Sequence, residues 1–123
     1  MILVDTDIFV DYFRDYDPAN AFFDKHTNDI HITYYTMMEL ISGAENKTQL
    51  KQIQESVFYP ILDTNNQIMQ LAIKIYSKHK LTSGTGLIDS INAASAIFHN
   101  VDFYSRNSKH FKNIEKLKLK IPY

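Results

Sequence analysis

The side chains of this protein with chemistry to offer are mostly acids, and they fall where secondary-structure elements end or begin. Met1 to Tyr12 reads MILVDTDIFVDY, in which the apolar run Ile2-Leu3-Val4 stops at Asp5-Thr6-Asp7. Such a run suits a strand buried on both faces of a parallel sheet. In open α/β sheets ligands bind beyond the carboxyl ends of the strands, so Asp5 and Asp7 stand where chemistry is done. Glu39 falls in the first turn of a helix after a second strand, Asp89 in the first turn of a later helix, and Asn107 just after a late strand. Carboxylates forced together raise one another's pKa unless a cation neutralises them, so a shared acidic pocket implies a bound metal. Oxygen ligands with water to spare suit Mg²⁺ or Mn²⁺, and neither zinc nor copper.

Each of these residues also has a plain structural reading. Asp5 or Thr6 can cap the first helix. Thr36 and Glu39, three apart, match a reciprocal capping box. Asp89 in a first turn favours the helix dipole by about 0.3–1 kcal/mol. Asn107 can cap a short helix, and Asn92, one turn beyond Asp89, either orients that acid, touches substrate or faces solvent. Ser105 and Asn107 reach the edge of Asp5 if a strand ends at Tyr104. Asp89 reaches it only if the loop before its helix delivers it there, which periodicity does not determine.

The elements that must position these groups alternate. Helices are expected over Asp7–Arg14 and from an Asp17-Pro18 start to His26, then a strand over Ile30–Thr33 and a helix opening at Thr36 with Met38, Leu40, Ile41 and Ala44 inward. A helix over Thr48–Ser56 leads into a strand over Val57–Leu62, where Pro60 argues for an edge or bulge. Ile68, Leu71, Ala72, Ile75 and Tyr76 recur at helical spacing through about His79, and Leu81–Gly86 reads as a loop. A helix over Leu87–Asn100 buries Ile88, Ile91, Ala94, Ala96, Ile97 and Phe98. A strand over Val101–Tyr104, a short helix over Asn107–Ile114 and a strand over Leu117–Ile121 close the chain. The alternation predicts one domain, residues 1–123: a three-layer α/β/α sandwich on a mostly parallel sheet of four to five strands.

Composition narrows the function. At 123 residues one core can form without staples, and the lack of cysteine excludes disulfides, thiolate zinc sites and cysteine nucleophiles. No basic leader with an apolar core and no long apolar stretch is present, which reads as a soluble, cytoplasmic protein with no membrane partner. A formal charge of −1 gives no global footprint for a nucleic-acid binder. The distribution is uneven, however. Arg106, Lys109, Lys112, Lys116, Lys118 and Lys120 crowd one end, where they either solvate the surface or track phosphates. Tyr34, Tyr35 and Tyr104 fall near strand ends, where a ring can stack on a base.

Four segments, VDTDIFVDY with Asp5, TMMELISGA with Glu39, GLIDSINAASA with Asp89 and YSRNSKHF with Asn107, together resemble the successive motifs of the PIN-domain ribonucleases. The resemblance is closest to the VapC-type toxins of bacterial toxin–antitoxin pairs. It implies a small parallel-sheet fold, an acidic Mg²⁺ pocket, and cleavage of an RNA substrate by metal-activated water to leave 5′-phosphate and 3′-hydroxyl ends. It also implies homodimers and neutralisation by a cognate antitoxin that covers the pocket. Asp5, Glu39 and Asp89 become the acidic triad, with Asp5 and Asp89 holding the metal. Asn107 stands at a fourth acidic position where many relatives have Asp, which puts a second metal in doubt. Asp7, where a small polar residue is usual, is placed to restore that charge. Asn92 replaces an aliphatic residue. Thr6, Ser105 and Arg106 are left to contact substrate or the metal's shell, Arg106 gripping the RNA backbone.

Two rivals start from the same residues. A strand followed by Asp5-x-Asp7 also resembles the first motif of haloacid-dehalogenase-type phosphatases, with Asp5 as nucleophile. That family calls for an acidic pair after a late strand, and Ser105-Arg106-Asn107-Ser108 supplies none. The second rival keeps the fold and drops the chemistry: a degenerate PIN module that acts through partner binding.

Overall fold

The computed structural model describes residues 1–123. The strand β1 (Ile2–Val4) lies inside a sheet that the rest of the chain builds outward. After it come α1 (Thr6–Phe13), α2 (Asp17–His26), β2 (Ile30–His31), α3 (Tyr34–Ser42) and α4 (Lys47–Ser56). Then follow α5 (Asn66–Ser83), α6 (Leu87–His99), β3 (Asp102–Tyr104), α7 (Ser108–Phe111) and β4 (Leu119–Lys120). The sheet order is β2-β1-β3-β4 and every pairing is parallel, with Leu3 opposite His31 on one side and Phe103 on the other. No helix is long and apolar enough to cross a membrane.

Strand periodicity divides the core into two layers. Leu3 and Phe103 face one side, against Ala72, Ile75, Ala93, Ala96 and Phe111 of α5, α6 and α7. Ile2 and Val4 face the other, against Ile8, Phe9, Phe22, Phe23, Leu40 and Ile53 of α1 to α4. Each such fully buried Leu or Phe contributes about 1.5–3 kcal/mol. The chain therefore leaves β1 toward one face, into α1, and leaves β3 toward the other, into α7. That divergence opens a crevice between the carboxyl ends of β1 and β3, the topological switch point at which α/β sheets bind ligands.

The folded chain departs from the expected elements at several places. Val57–Leu62 is not a strand: only Ile61 bridges to Ile32, flanked by Ile32 N–H to the Pro60 carbonyl (3.0 Å) and Leu62 N–H to the Ile32 carbonyl (2.8 Å). Pro60 has no N–H to extend a ladder, so the sheet stops at four strands. The capping box at Thr36 and Glu39 does not form. Thr33 is the cap, its Oγ1 accepting from Thr36 N–H at 3.2 Å, so the helix starts two residues earlier and Glu39 has no capping role. Asp17 lies inside α2 rather than capping it, Tyr16 holding the cap position. The α5 helix runs past His79 to Ser83, where Gly84 ends it at φ +70°, a conformation glycine adopts without strain. Met38 and Phe98, expected inside, are 62% and 44% exposed.

Candidate active site

Asp5 closes the crevice from the β1 side. Its backbone N–H continues the sheet by donating to the Tyr104 carbonyl (2.9 Å), which fixes Asp5 beside the residue that follows β3. Its Oδ1 accepts from Thr6 N–H (2.9 Å), so the residue does cap α1, and its Oδ2 accepts from Ser105 Oγ (2.8 Å). Asp7 enters two residues later, in the first turn of α1. Its Oδ2 accepts from Arg106 N–H (3.0 Å) and lies 3.4 Å from the same Ser105 Oγ, while its Oδ1 is buried with no hydrogen-bond partner. Ser105 is fully buried and also accepts from Asn107 N–H (3.0 Å). A hydroxyl has one hydrogen to give. The shorter contact assigns it to Asp5, leaving Asp7 with the Arg106 amide.

Asp89 faces this pair from the first turn of α6. Its Oδ2 accepts from Gly86 N–H (2.9 Å) and lies 2.9 Å from His110 Nδ1. The Asn107 side-chain amide is 2.8 Å from the same ring nitrogen, so Asn107 occupies the cap position of α7 without making a side-chain cap. Because a carboxylate only accepts, the Asp89 contact requires Nδ1 to carry a hydrogen, and the Asn107 amide, turned so that its oxygen faces the ring, shares that one hydrogen with Asp89 in a three-centre bond. A continuous network thus runs from Asp5 through Ser105, Asn107 and His110 to Asp89.

The electrostatics follow from burial. Asp5 is 5% exposed, and desolvation, with the neighbouring charges of Asp7 and then Asp89, pushes its pKa from 3.8 up to about 8. The hydrogen bonds from Ser105 and Thr6 oppose that rise without cancelling it. Asp7 is raised for the same first reason, burial, with Asp11 adding repulsion and the Arg106 and Ser105 hydrogen bonds acting against it. Two crowded carboxylates with an unpartnered buried oxygen are the donor chemistry of a hard divalent cation. No three Asp, Glu or His side chains assemble into a cage. Mg²⁺ suits such a site, since it commonly takes one or two carboxylates and keeps several waters.

The other candidate residues are dispersed. Glu39, half-buried on α3, shares with Thr6 the wall of a cleft of about 270 Å³ between α1, α3 and α4. Thr6 Oγ1 is buried without a partner. Asn92 neither faces solvent nor meets Asp89. It is wholly buried, accepting from Thr33 Oγ1 (2.6 Å) and donating to Thr36 Oγ1 (3.0 Å), and so staples α6 to the start of α3. The Arg106 guanidinium pairs with Asp11 (2.7 Å) and lies 5.6 and 5.2 Å from the Tyr16 and Tyr123 ring centres, so it is the Arg106 backbone N–H that meets Asp7. The Tyr104 ring packs on Phe22 and His26 rather than standing free for a base. Sequence reasoning missed His110, although its spacing of three from Asn107 on a short helix is a readable signal. It also missed Asp11 and Tyr123, whose hydroxyl donates to Asp11 at 2.8 Å. No local pattern links those two.

A parallel sheet whose switch point carries buried Asp5 beside half-buried Asp7 and Asp89 defines a small α/β protein with an acidic crevice. The PIN domain family model matches residues 2–117, and the chain belongs to the PIN domain family. PIN domains are generally nucleases and typically depend on divalent metals, which supports a hydrolase of nucleic acids and leaves the phosphatase reading without support. Solved structures share the fold. A toxin–antitoxin complex from Klebsiella pneumoniae matches at 24% identity and a TM-score of 0.83, over 100% of this chain and 98% of that one. DNA-bound VapBC from Salmonella typhimurium matches at 20% and 0.79, over 99% and 98%. VapBC-1 from nontypeable Haemophilus influenzae matches at 22% and 0.76, also over 99% and 98%. No curated protein is matched by the sequence.

Proposed function

We propose that this protein is a Mg²⁺-dependent endoribonuclease, with Mn²⁺ able to substitute, and the toxin of a type II toxin–antitoxin pair. The observation that carries the reading is the placement of buried Asp5, held by the Ser105 hydroxyl, beside half-buried Asp7, held by the Arg106 amide, at the β1–β3 switch point within the field of Asp89. Family membership supports nuclease chemistry, and the likeness in fold to toxin–antitoxin and VapBC complexes supports the cellular role. In this reading the protein works in the cytoplasm as a homodimer and is silenced by a cognate antitoxin.

Asp5 and Asp89 would hold the cation, directly or through water, and Asp7 supplies the negative charge that Asn107 lacks. When bound, Mg²⁺ supplies Lewis acidity to a phosphate oxygen and lowers the pKa of a coordinated water. Ser105 keeps the Asp5 carboxylate turned into the crevice by donating to its Oδ2. Glu39, on the wall beside Thr6, would hold the metal's water or take its proton. Arg106, tied to Asp11, Tyr16 and Tyr123, holds Asp7 through its backbone, and the exposed lysines from Lys109 to Lys120 contact RNA phosphates.

Pure protein incubated with cellular RNA and Mg²⁺ should generate new 5′-phosphate ends that disappear in Asp5→Ala and with chelator. Equal cleavage by wild type and Asp5→Ala would mark a contaminant. If neither cleaves while both hold the same partner, the degenerate module is the correct reading.

A further inference from the structure

We infer that His110 is a positioning residue that fixes which oxygen of Asp89 faces the cation, an inference that rests on the metal-dependent reading above. Asp89 Oδ2 is occupied twice, by Gly86 N–H at 2.9 Å and by His110 Nδ1 at 2.9 Å. Only Oδ1 is left to act in the crevice. The Gly86 contact alone leaves the carboxylate free to swing about that one hydrogen bond. The histidine supplies a second anchor from another element, and two anchors on one oxygen aim the other.

The histidine is itself held on several sides. Its backbone carbonyl accepts from Thr85 Oγ1 at 2.7 Å, Thr85 being 1% exposed, and its N–H donates to the Asn107 carbonyl at 3.2 Å. Its ring lies against Gly84, where an added Cβ would stand 3.5 Å from Nε2. The Gly84–Gly86 turn thus touches both Asp89 and the histidine that orients it. The same Nδ1 meets the Asn107 side chain at 2.8 Å, so one ring nitrogen sets the angles of two candidate site residues that lie on different elements, α6 and the start of α7. Outer partners of this kind orient a metal's ligands, and their loss typically weakens metal affinity by about 10–100-fold.

The test is Mn²⁺ binding by the full chain, read by calorimetry or electron paramagnetic resonance, with thermal melting as the control for folding. H110A should weaken Mn²⁺ binding by about 10–100-fold. H110N, whose side-chain N–H takes the place of Nδ1–H, should restore binding to within about threefold of wild type, whereas H110Q, whose amide reaches toward the Nε2 position, should not. If H110A fails to fold, the contrast of H110N with H110Q decides. Wild-type affinity in H110A, or equal loss in H110N and H110Q with intact folding, overturns the role of His110 and leaves the metal site standing. Absence of Mn²⁺ binding in the wild type, or unchanged binding in Asp5→Ala, overturns both.

Discussion

Ser105 Oγ donates to Asp5 Oδ2 at 2.8 Å across 100 positions of sequence, inside a crevice where both residues are buried. It ties the β1 and β3 sides of the site together in the interior, and it bears directly on the acid whose ionisation burial resists. Removing it should therefore be felt in folding and in chemistry at once.

Ser105→Ala takes a donor from the buried Asp5 carboxyl and an acceptor from Asn107 N–H. The expected cost is about 1–3 kcal/mol of stability. Cleavage should fall by about tenfold or more, as is usual when a supporting hydrogen bond of a metal site is lost. Chemical denaturation and RNA cleavage on one preparation check both. A variant of wild-type activity would show that Asp5 needs no orientation from the β3 side.

The pKa of Asp5 carries a pH signature. It stands at about 8 in the folded chain against 3.8 for the free side chain, so the native state holds its proton more tightly. The native state binds more protons between those values, and stability falls as pH rises. The contribution is fully present below 3.8 and lost as pH climbs toward 8, at up to about 1.4 kcal/mol per pH unit. Asp7, also raised, acts in the same direction. Metal-free protein should accordingly melt at lower temperature at pH 7.5 than at pH 5, with a slope steeper than that of Asp5→Asn. Mn²⁺ should stabilise it most at the alkaline end, where protons no longer compete for the carboxylates. A pH-independent difference between wild type and Asp5→Asn would contradict this account.

Asp7→Asn separates stability from function. Removing one of two crowded charges should raise the melting temperature of the metal-free protein, because the Asp5–Asp7 repulsion disappears. If Asp7 supplies the charge absent at Asn107, the same variant should bind Mn²⁺ about tenfold less tightly. Unchanged affinity would return Asp7 to a purely structural role beside Arg106.

Asn92→Ala should behave oppositely. It leaves a cavity and deprives Thr33 and Thr36 of a shared partner, for about 2–4 kcal/mol. Asn92 does not touch Asp89, so Mn²⁺ affinity below the melting transition should match wild type. Selective loss of Mn²⁺ binding in a well-folded protein would place Asn92 in the site after all.

How much of this was legible beforehand differs by element. The long periodic stripe of α5 and the apolar β1 run declared themselves, because a helical face and a doubly buried strand leave direct composition patterns. The run Val57–Leu62 looked just as extended, yet one proline without an N–H reduced it to a single bridge. Thr36 and Glu39 had capping-box spacing, but Thr33 stands three residues before Thr36 and makes the competing cap, so one helix boundary changed the role of Glu39. Asn92 could not be placed from its neighbours, since its partners lie 59 and 56 positions away.

By itself the sequence determined an alternating α/β chain that sets Asp5 at a strand end and Asp89 in a first turn, because local periodicity and cap chemistry act over a few residues. Only the folded chain decided which groups meet: Asp5 on Ser105, Asp7 on the Arg106 amide, Asp89 on His110, Asn92 on two threonines, Arg106 between two tyrosines. Hydrogen bonds act at about 3 Å and desolvation acts only after burial, so neither exists until packing has brought distant segments together.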